Sequence, residues 1–201
     1  EAIDAFADFN TQPIPGKVYV EGVTDKSASE SSKIKAEIGY AKPDIDPTQE
    51  AGWKWLPAKF SKQEGKYHVY TGQLKVPLTQ KYDVAYRFSY DESGVGDWGE
   101  WVYADTDATD LTYTLSQAAV LTATEAPKDY CQTDKDCVLN RFKTACKVDS
   151  SNHKKNKCVQ CLSSKDCKDN KYSLGPNCDT SKNACYCTKS SEHQGSGHGF
   201  V

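Results

Sequence analysis

The 201-residue sequence contains no methionine, and its nine cysteines leave the first 130 positions empty. No apolar run approaches the ~18 residues that a bilayer-spanning helix requires, so a helical integral membrane protein is excluded. Charge of one sign is scarce as well. The 25 Lys+Arg and 28 Asp+Glu leave a net charge of −3, which removes the electrostatic case for a nucleic-acid partner. No Gly-x-Ser-x-Gly elbow, His-Glu-x-x-His or phosphate-binding loop occurs, and His68, His153, His193 and His198 are scattered. With no catalytic set to assemble, a non-enzymatic protein is expected. The sequence opens at Glu1 without a leader-like segment, which reads as a mature, processed chain.

What is present divides sharply near residue 130. Trp53, Trp55, Trp98 and Trp101 and ten of the twelve tyrosines precede Cys131, and every cysteine lies at or after it. Residues 1–130 hold 13 Lys+Arg and 21 Asp+Glu, a balance of −8; residues 131–201 hold 12 and 7, a balance of +5. An aromatic, acidic part is followed by a basic, cysteine-dense one, so two domains with different means of stabilisation are expected. The divisions expected are an N-terminal arm at 1–15, a β-sandwich at 16–126, a Cys-rich domain at 127–187 and a flexible tail at 188–201.

Period-2 alternation dominates the first part. In Tyr82–Tyr90 every even position is large and apolar, a set that a strand gathers on one face and a helix would scatter. Ile34, Ala36, Ile38 and Tyr40 repeat the pattern. Weaker strands are predicted at 17–23, 53–60, 67–76, 101–104 and 111–122, separated by Gly, Pro and polar breakers. About seven strands joined by short turns predict an antiparallel two-sheet sandwich, followed by a small disulfide-rich domain; the protein is mainly β.

The stretch Leu74–Tyr86, in which Val76-Pro77 ends a strand and Tyr82 opens the next, resembles the corner between the fifth and sixth strands of fibronectin type III and immunoglobulin-like domains. The resemblance implies that the Tyr82 hydroxyl bonds back to the corner backbone. Residues 16–24, 36–40, 53–55, 82–89 and 101–105 together resemble an accessory sandwich domain of secreted proteins of myxobacteria and their relatives. That resemblance implies a fold and no catalytic residues.

In the second part, Cys131-Gln-Thr-Asp-Lys-Asp-Cys137 aligns with Cys161-Leu-Ser-Ser-Lys-Asp-Cys167, which exposes an internal repeat. Each unit has four cysteines: Cys131, Cys137, Cys146 and Cys158, then Cys161, Cys167, Cys178 and Cys185. Cys187 is left over, a candidate free or interchain thiol. Zinc competes for Cys158-x2-Cys161, but zinc sites usually need two such pairs or a histidine partner. Disulfides are the stronger reading at this density, with pairing confined to each unit and connectivity open. The pattern resembles Cys-rich repeats of bacterial surface proteins, and the compartment implied is extracellular or cell-surface.

Four features are candidate sites. Asp105, Asp107 and Asp110 offer hard oxygen ligands for calcium, against the alternative of a solvated turn; no other cofactor is implied. Trp98 and Trp101 flank a glycine-rich hairpin and offer flat faces for glycan stacking, against the alternative that one tryptophan of each pair fills the core. Ile3, Phe6 and Phe9 form an apolar arm that either adds an element to its own domain or docks on a neighbouring subunit. The Gly/Ser/His-rich tail is expected to order only against a partner.

The leading functional reading is a secreted, non-enzymatic structural or adhesive surface protein. It would associate with itself or with another surface protein, as a filament subunit where contacts fail to close. One alternative is a polysaccharide-binding or targeting module of a secreted system. Another is a Cys-rich inhibitor or ligand-like protein using Lys154, Lys155 and Lys157 between Cys146 and Cys158.

Overall fold

The computed structural model describes residues 2–49, 51–104, 118–137, 143, 145–169 and 177–186. The chain divides into two compact units, Glu1–Glu125 and Ala126–Val201. The protein is mainly β, an immunoglobulin-like sandwich followed by a small disulfide-rich unit.

Among the described residues the first unit contains nine strands: β1 (Ala2–Phe6), β2 (Ile14–Val18), β3 (Ile34–Ala41), β4 (Lys54–Pro57), β5 (Lys59–Glu64), β6 (Tyr67–Gly72), β7 (Lys81–Tyr90), β8 (Val102–Ala104) and β9 (Ala119–Thr124). One sheet runs β1-β9-β7-β3-β4, with β8 also paired to β7; the other runs β2-β6-β5. The pairs are antiparallel except β1 on β9, which is parallel, with Ala2 opposite Val120 and Phe6 opposite Thr124.

Between the sheets lie the apolar faces that alternation marked out. Ile34, Ala36, Ile38 and Tyr40 of β3 and Tyr82, Val84, Tyr86 and Phe88 of β7 join Tyr70, Leu74, Val76 and Leu121 in one buried cluster. Tyr82 makes the corner contact: its hydroxyl donates to the Leu78 carbonyl and accepts from the Leu78 N–H, both at 3.2 Å. Gly16 of β2 lies flat beneath the Tyr86 ring, where a Cβ would sit 2.5 Å from the ring. The Tyr86 hydroxyl passes on to donate to the Ile14 carbonyl at 2.6 Å.

Four boundaries differ from the sequence reading, one of them the strand expected at 67–76, which ends at Gly72. The strand expected at 17–23 is Ile14–Val18, because the Thr24 hydroxyl accepts from the Val20 N–H and bends the chain there. Pro15 is tolerated because β2 is an edge strand. The single strand expected at 53–60 is two strands in different sheets; Pro57 ends β4, and the Ala58 N–H donates to Ala36 before the chain crosses to β5. The expected strand at 111–122 is seen as β9, with 111–117 outside the described residues.

The second unit is two copies of one small motif. Strands β10 (Ala145–Lys147) and β11 (Lys157–Val159) form one hairpin, β12 (Asn177–Asp179) and β13 (Ala184–Tyr186) the other, with a short helix α1 (Ser164–Asp169) before β12. Cys146 faces Cys158 across the first ladder, and Cys178 faces Cys185 across the second.

Candidate functional site

The cysteines account for the second unit. Disulfides join Cys131 to Cys146, Cys137 to Cys158, Cys161 to Cys178 and Cys167 to Cys185, with Cα–Cα separations of 5.9, 5.6, 6.0 and 5.6 Å. Pairing stays within each repeat and follows one rule in both: first with third, second with fourth. The sulfurs of Cys131, Cys137 and Cys158 lie within 4.8 Å of one another, as do those of Cys161, Cys167 and Cys178, but all six are spent in disulfides. Cys187 lies outside the described residues.

The Lys-Asp that precedes the second cysteine of each repeat has a geometric purpose. The Asp136 carboxylate accepts the N–H groups of Gln132 and Thr133, and Asp166 accepts those of Leu162 and Ser163, four bonds each of 2.8 Å. Each hairpin turn is closed the same way. Asp149 accepts from Ser151 and Asn152, and Asp179 from Ser181 and Lys182. The serine hydroxyl and these backbone N–H groups hold both carboxyls below the usual aspartate value.

The aromatic residues build a second feature, on the outer face of the β4-β3-β7-β8 sheet. Gly39, Ala41 and Ala85 leave that face flat, and a Cβ on Gly39 would stand 2.4 Å from the Trp55 ring. Trp53 stacks on Trp55 with ring centroids 5.0 Å apart. Arg87, only 8% exposed, is held between Trp55 and Trp101, its Cζ 4.4 and 4.3 Å from the two centroids. Glu37, opposite it across β3, accepts from Arg87 Nη2 at 2.7 Å and from Nε at 2.8 Å. Lys35, two residues along β3, lies 4.1 Å from the Trp98 centroid. None of the tryptophans joins the inter-sheet cluster; Trp53 is buried in a separate cluster with Ala41 and Ala85, with Trp55 packed against it. Trp98 and Trp101 each carry a cation over the ring.

The chain matches no protein-family model, and no curated protein matches it.

The remaining sequence candidates fall as follows. The arm is β1 of the sandwich: Ala5 is buried in the core, Ile3 packs against it, and Phe6 and Phe9 are half-buried. Ala5 is thus covered within its own unit, and Ile3, Phe6 and Phe9 are covered in part. Asp105, Asp107 and Asp110 lie outside the described residues, as does the tail at 188–201. No helix among the described residues is long and apolar enough to cross a membrane. The sequence reading missed the cations that cover the tryptophans. The signal for Arg87 was available: it is the one cation among the odd positions Asp83, Ala85, Arg87 and Ser89 of the clearest strand.

Chemically, the aromatic face is a rigid layer. Each cation over a ring contributes about 0.5–2 kcal/mol, depending on how far it is desolvated, and the Glu37 pair fixes the guanidinium between its two rings.

Proposed function

We propose that the protein is a secreted, non-enzymatic surface protein that works by protein–protein association, as a structural or adhesive subunit. The observation that carries this reading is the covalent closure of the second unit, with all eight cysteines from 131 to 185 paired inside their own repeats. Disulfides of this density persist in oxidising compartments outside the reducing cytosol. The charge division supports association, because an acidic sandwich and a basic Cys-rich unit attract between copies. Sedimentation velocity and light scattering at low and high salt, with and without reductant, test it. Salt-sensitive oligomers are expected, and a strict monomer in every condition overturns the reading.

Polysaccharide binding is the second reading, favoured by the half-exposed Trp98 and Trp101, whose orientation Lys35 and Arg87 fix in advance. Titration with soluble polysaccharides, followed by tryptophan fluorescence, decides it; an unchanged spectrum removes it.

A further inference from the structure

We propose that the hairpin at residues 91–100 of one copy docks in a lysine-lined cleft between the two cysteine repeats of the next copy. The proposal rests on the association reading above and names the surfaces that would carry it.

The cleft has a volume of about 320 Å³. Its floor is Cys158 and Val159, both buried, and its rim carries Lys143, Lys157 and Lys182. Hydrogen bonds between the repeats fix its shape. Gln160 Oε1 accepts the Cys185 N–H at 2.7 Å, and Asn183 Nδ2 donates to the Cys161 carbonyl at 3.2 Å. Lys147 Nζ donates to Asn183 Oδ1 at 2.9 Å and adds a further ammonium group nearby. Lys143 is paired with Asp129 and Lys182 with Asp179, whereas Lys157 is exposed and has no carboxylate in salt-bridge range among the described residues. The cleft therefore presents the unpaired ammonium group of Lys157 beside two lysines that already hold carboxylates, over an apolar floor.

The hairpin has the converse character. Val95 at its tip is 85% exposed, and Glu92, Asp97 and Glu100 around it are exposed, with no salt bridge among the described residues. Its form is set in advance. The Asp91 carboxylate accepts the Ser93 hydroxyl at 2.7 Å and the N–H groups of Gly94 and Gly96 at 2.8 and 2.6 Å; both glycines have positive φ. A preformed loop with an apolar tip between carboxylates meets a preformed cleft with an apolar floor between lysines, so little ordering entropy is spent on docking. The two surfaces lie on different units, so each docked copy presents the unused partner surface again. Such heterologous contacts build an open chain of copies. Attraction between exposed charges is weak per pair and screened by salt.

The test uses the full chain. Nitrogen-15-labelled and unlabelled protein are mixed at low salt, coupled with a zero-length carbodiimide and analysed by mass spectrometry. Mixed-isotope links from Lys143, Lys157 or Lys182 to Glu92, Asp97 or Glu100 are expected. In sedimentation equilibrium, Lys157→Glu with Lys182→Glu weakens association about tenfold or more, and Glu92→Lys with Asp97→Lys and Glu100→Lys does the same. Mixing the two reversed proteins restores association. Oligomers that persist unchanged in both reversed proteins overturn this inference and leave the association reading standing. A wild-type protein that never associates removes both. Links confined to single-isotope chains overturn the docking between copies.

Discussion

Reduction of the four disulfides is expected to unfold the described part of the second unit and to leave the sandwich folded. The cross-links span sequence separations of 15, 21, 17 and 18 residues. Loop-closure entropy then gives about 3 kcal/mol for each at 25 °C. Loops overlap within each repeat, so the four together contribute at most on the order of 12 kcal/mol, which matches the ~5–15 kcal/mol total stability of an ordinary domain. Nothing else among the described residues of the unit is large enough to replace that. Its two buried clusters consist of Cys131, Cys137, Cys146 and Cys158, and of Cys161, Cys167 and Cys185. The sandwich has no cysteine, and all four tryptophans belong to it, so tryptophan emission reads that unit alone. Hydrogen exchange with mass spectrometry should show protection at 145–147 and 157–159 collapsing on reduction, while tryptophan emission and the protection of β3 and β7 hold. Retained protection in the reduced second unit would refute the reasoning. So would loss of structure on adding a chelator without reductant, because the cysteines would then be metal ligands.

Two further outcomes are expected. Gly39→Ala drives a methyl group into a Trp55 ring already fixed by Trp53 and Arg87, and should cost about 1–3 kcal/mol by chemical denaturation, with a changed tryptophan emission; wild-type stability and spectrum would mean that the layer is loosely held. The second concerns acid. The carboxyls of Asp91, Asp149 and Asp179 are held below the usual aspartate value of 3.8, chiefly by a serine hydroxyl two residues on, helped by backbone N–H groups. A carboxyl with a lowered folded pKa contributes stability that is complete above its unfolded pKa and is lost as pH falls through the folded value. Melting temperatures should therefore hold from pH 7 to about 5 and fall below about 4, less steeply in Asp149→Asn and Asp179→Asn; a flat or rising profile below pH 4 contradicts the assignment.

Legibility tracked periodicity. The strands at 34–41 and 81–90 were readable because each presents an unbroken apolar face to the opposite sheet. The cysteine repeat was readable because Asp136 and Asp166 must occupy the same place to cap the same turn. Connectivity was not, since the relation of first to third cysteine appears only when both hairpins fold. The arm was ambiguous for a different reason. Ile3, Phe6 and Phe9 recur every three residues, a spacing that fits neither strand nor helix cleanly. What makes Ala2–Phe6 a strand is the free edge of β9, more than 110 residues away, and no local pattern reports that.

The aromatic face was half legible: the tryptophans were visible and their partners were not, because register alone brings Trp55 opposite Gly39 and Arg87 opposite Glu37. The consequence reaches beyond the rings. In the sandwich, three cations lie over aromatic faces, namely Arg87 over Trp55 and Trp101, Lys35 over Trp98 and Lys66 over Tyr19 and Tyr67, while Lys17 and Lys62 pair with Glu64 and Lys33 Nζ donates to the Glu92 carbonyl. Of the three over rings, only Arg87 also meets a carboxylate among the described residues. Lysines engaged in this way are poorly placed to neutralise Glu92, Asp97 and Glu100, so the acidity of the first unit stays on display. The Cys-rich unit has few rings to occupy its lysines, and Asp136, Asp149, Asp166 and Asp179 cap turns. Asp129 and Asp179 do pair with Lys143 and Lys182, so the charge left on display at the cleft is that of Lys157. A composition difference of modest size thus leaves surfaces of opposite sign, because the internal bonding of each unit leaves Lys157 on one and Glu92, Asp97 and Glu100 on the other with no salt bridge among the described residues.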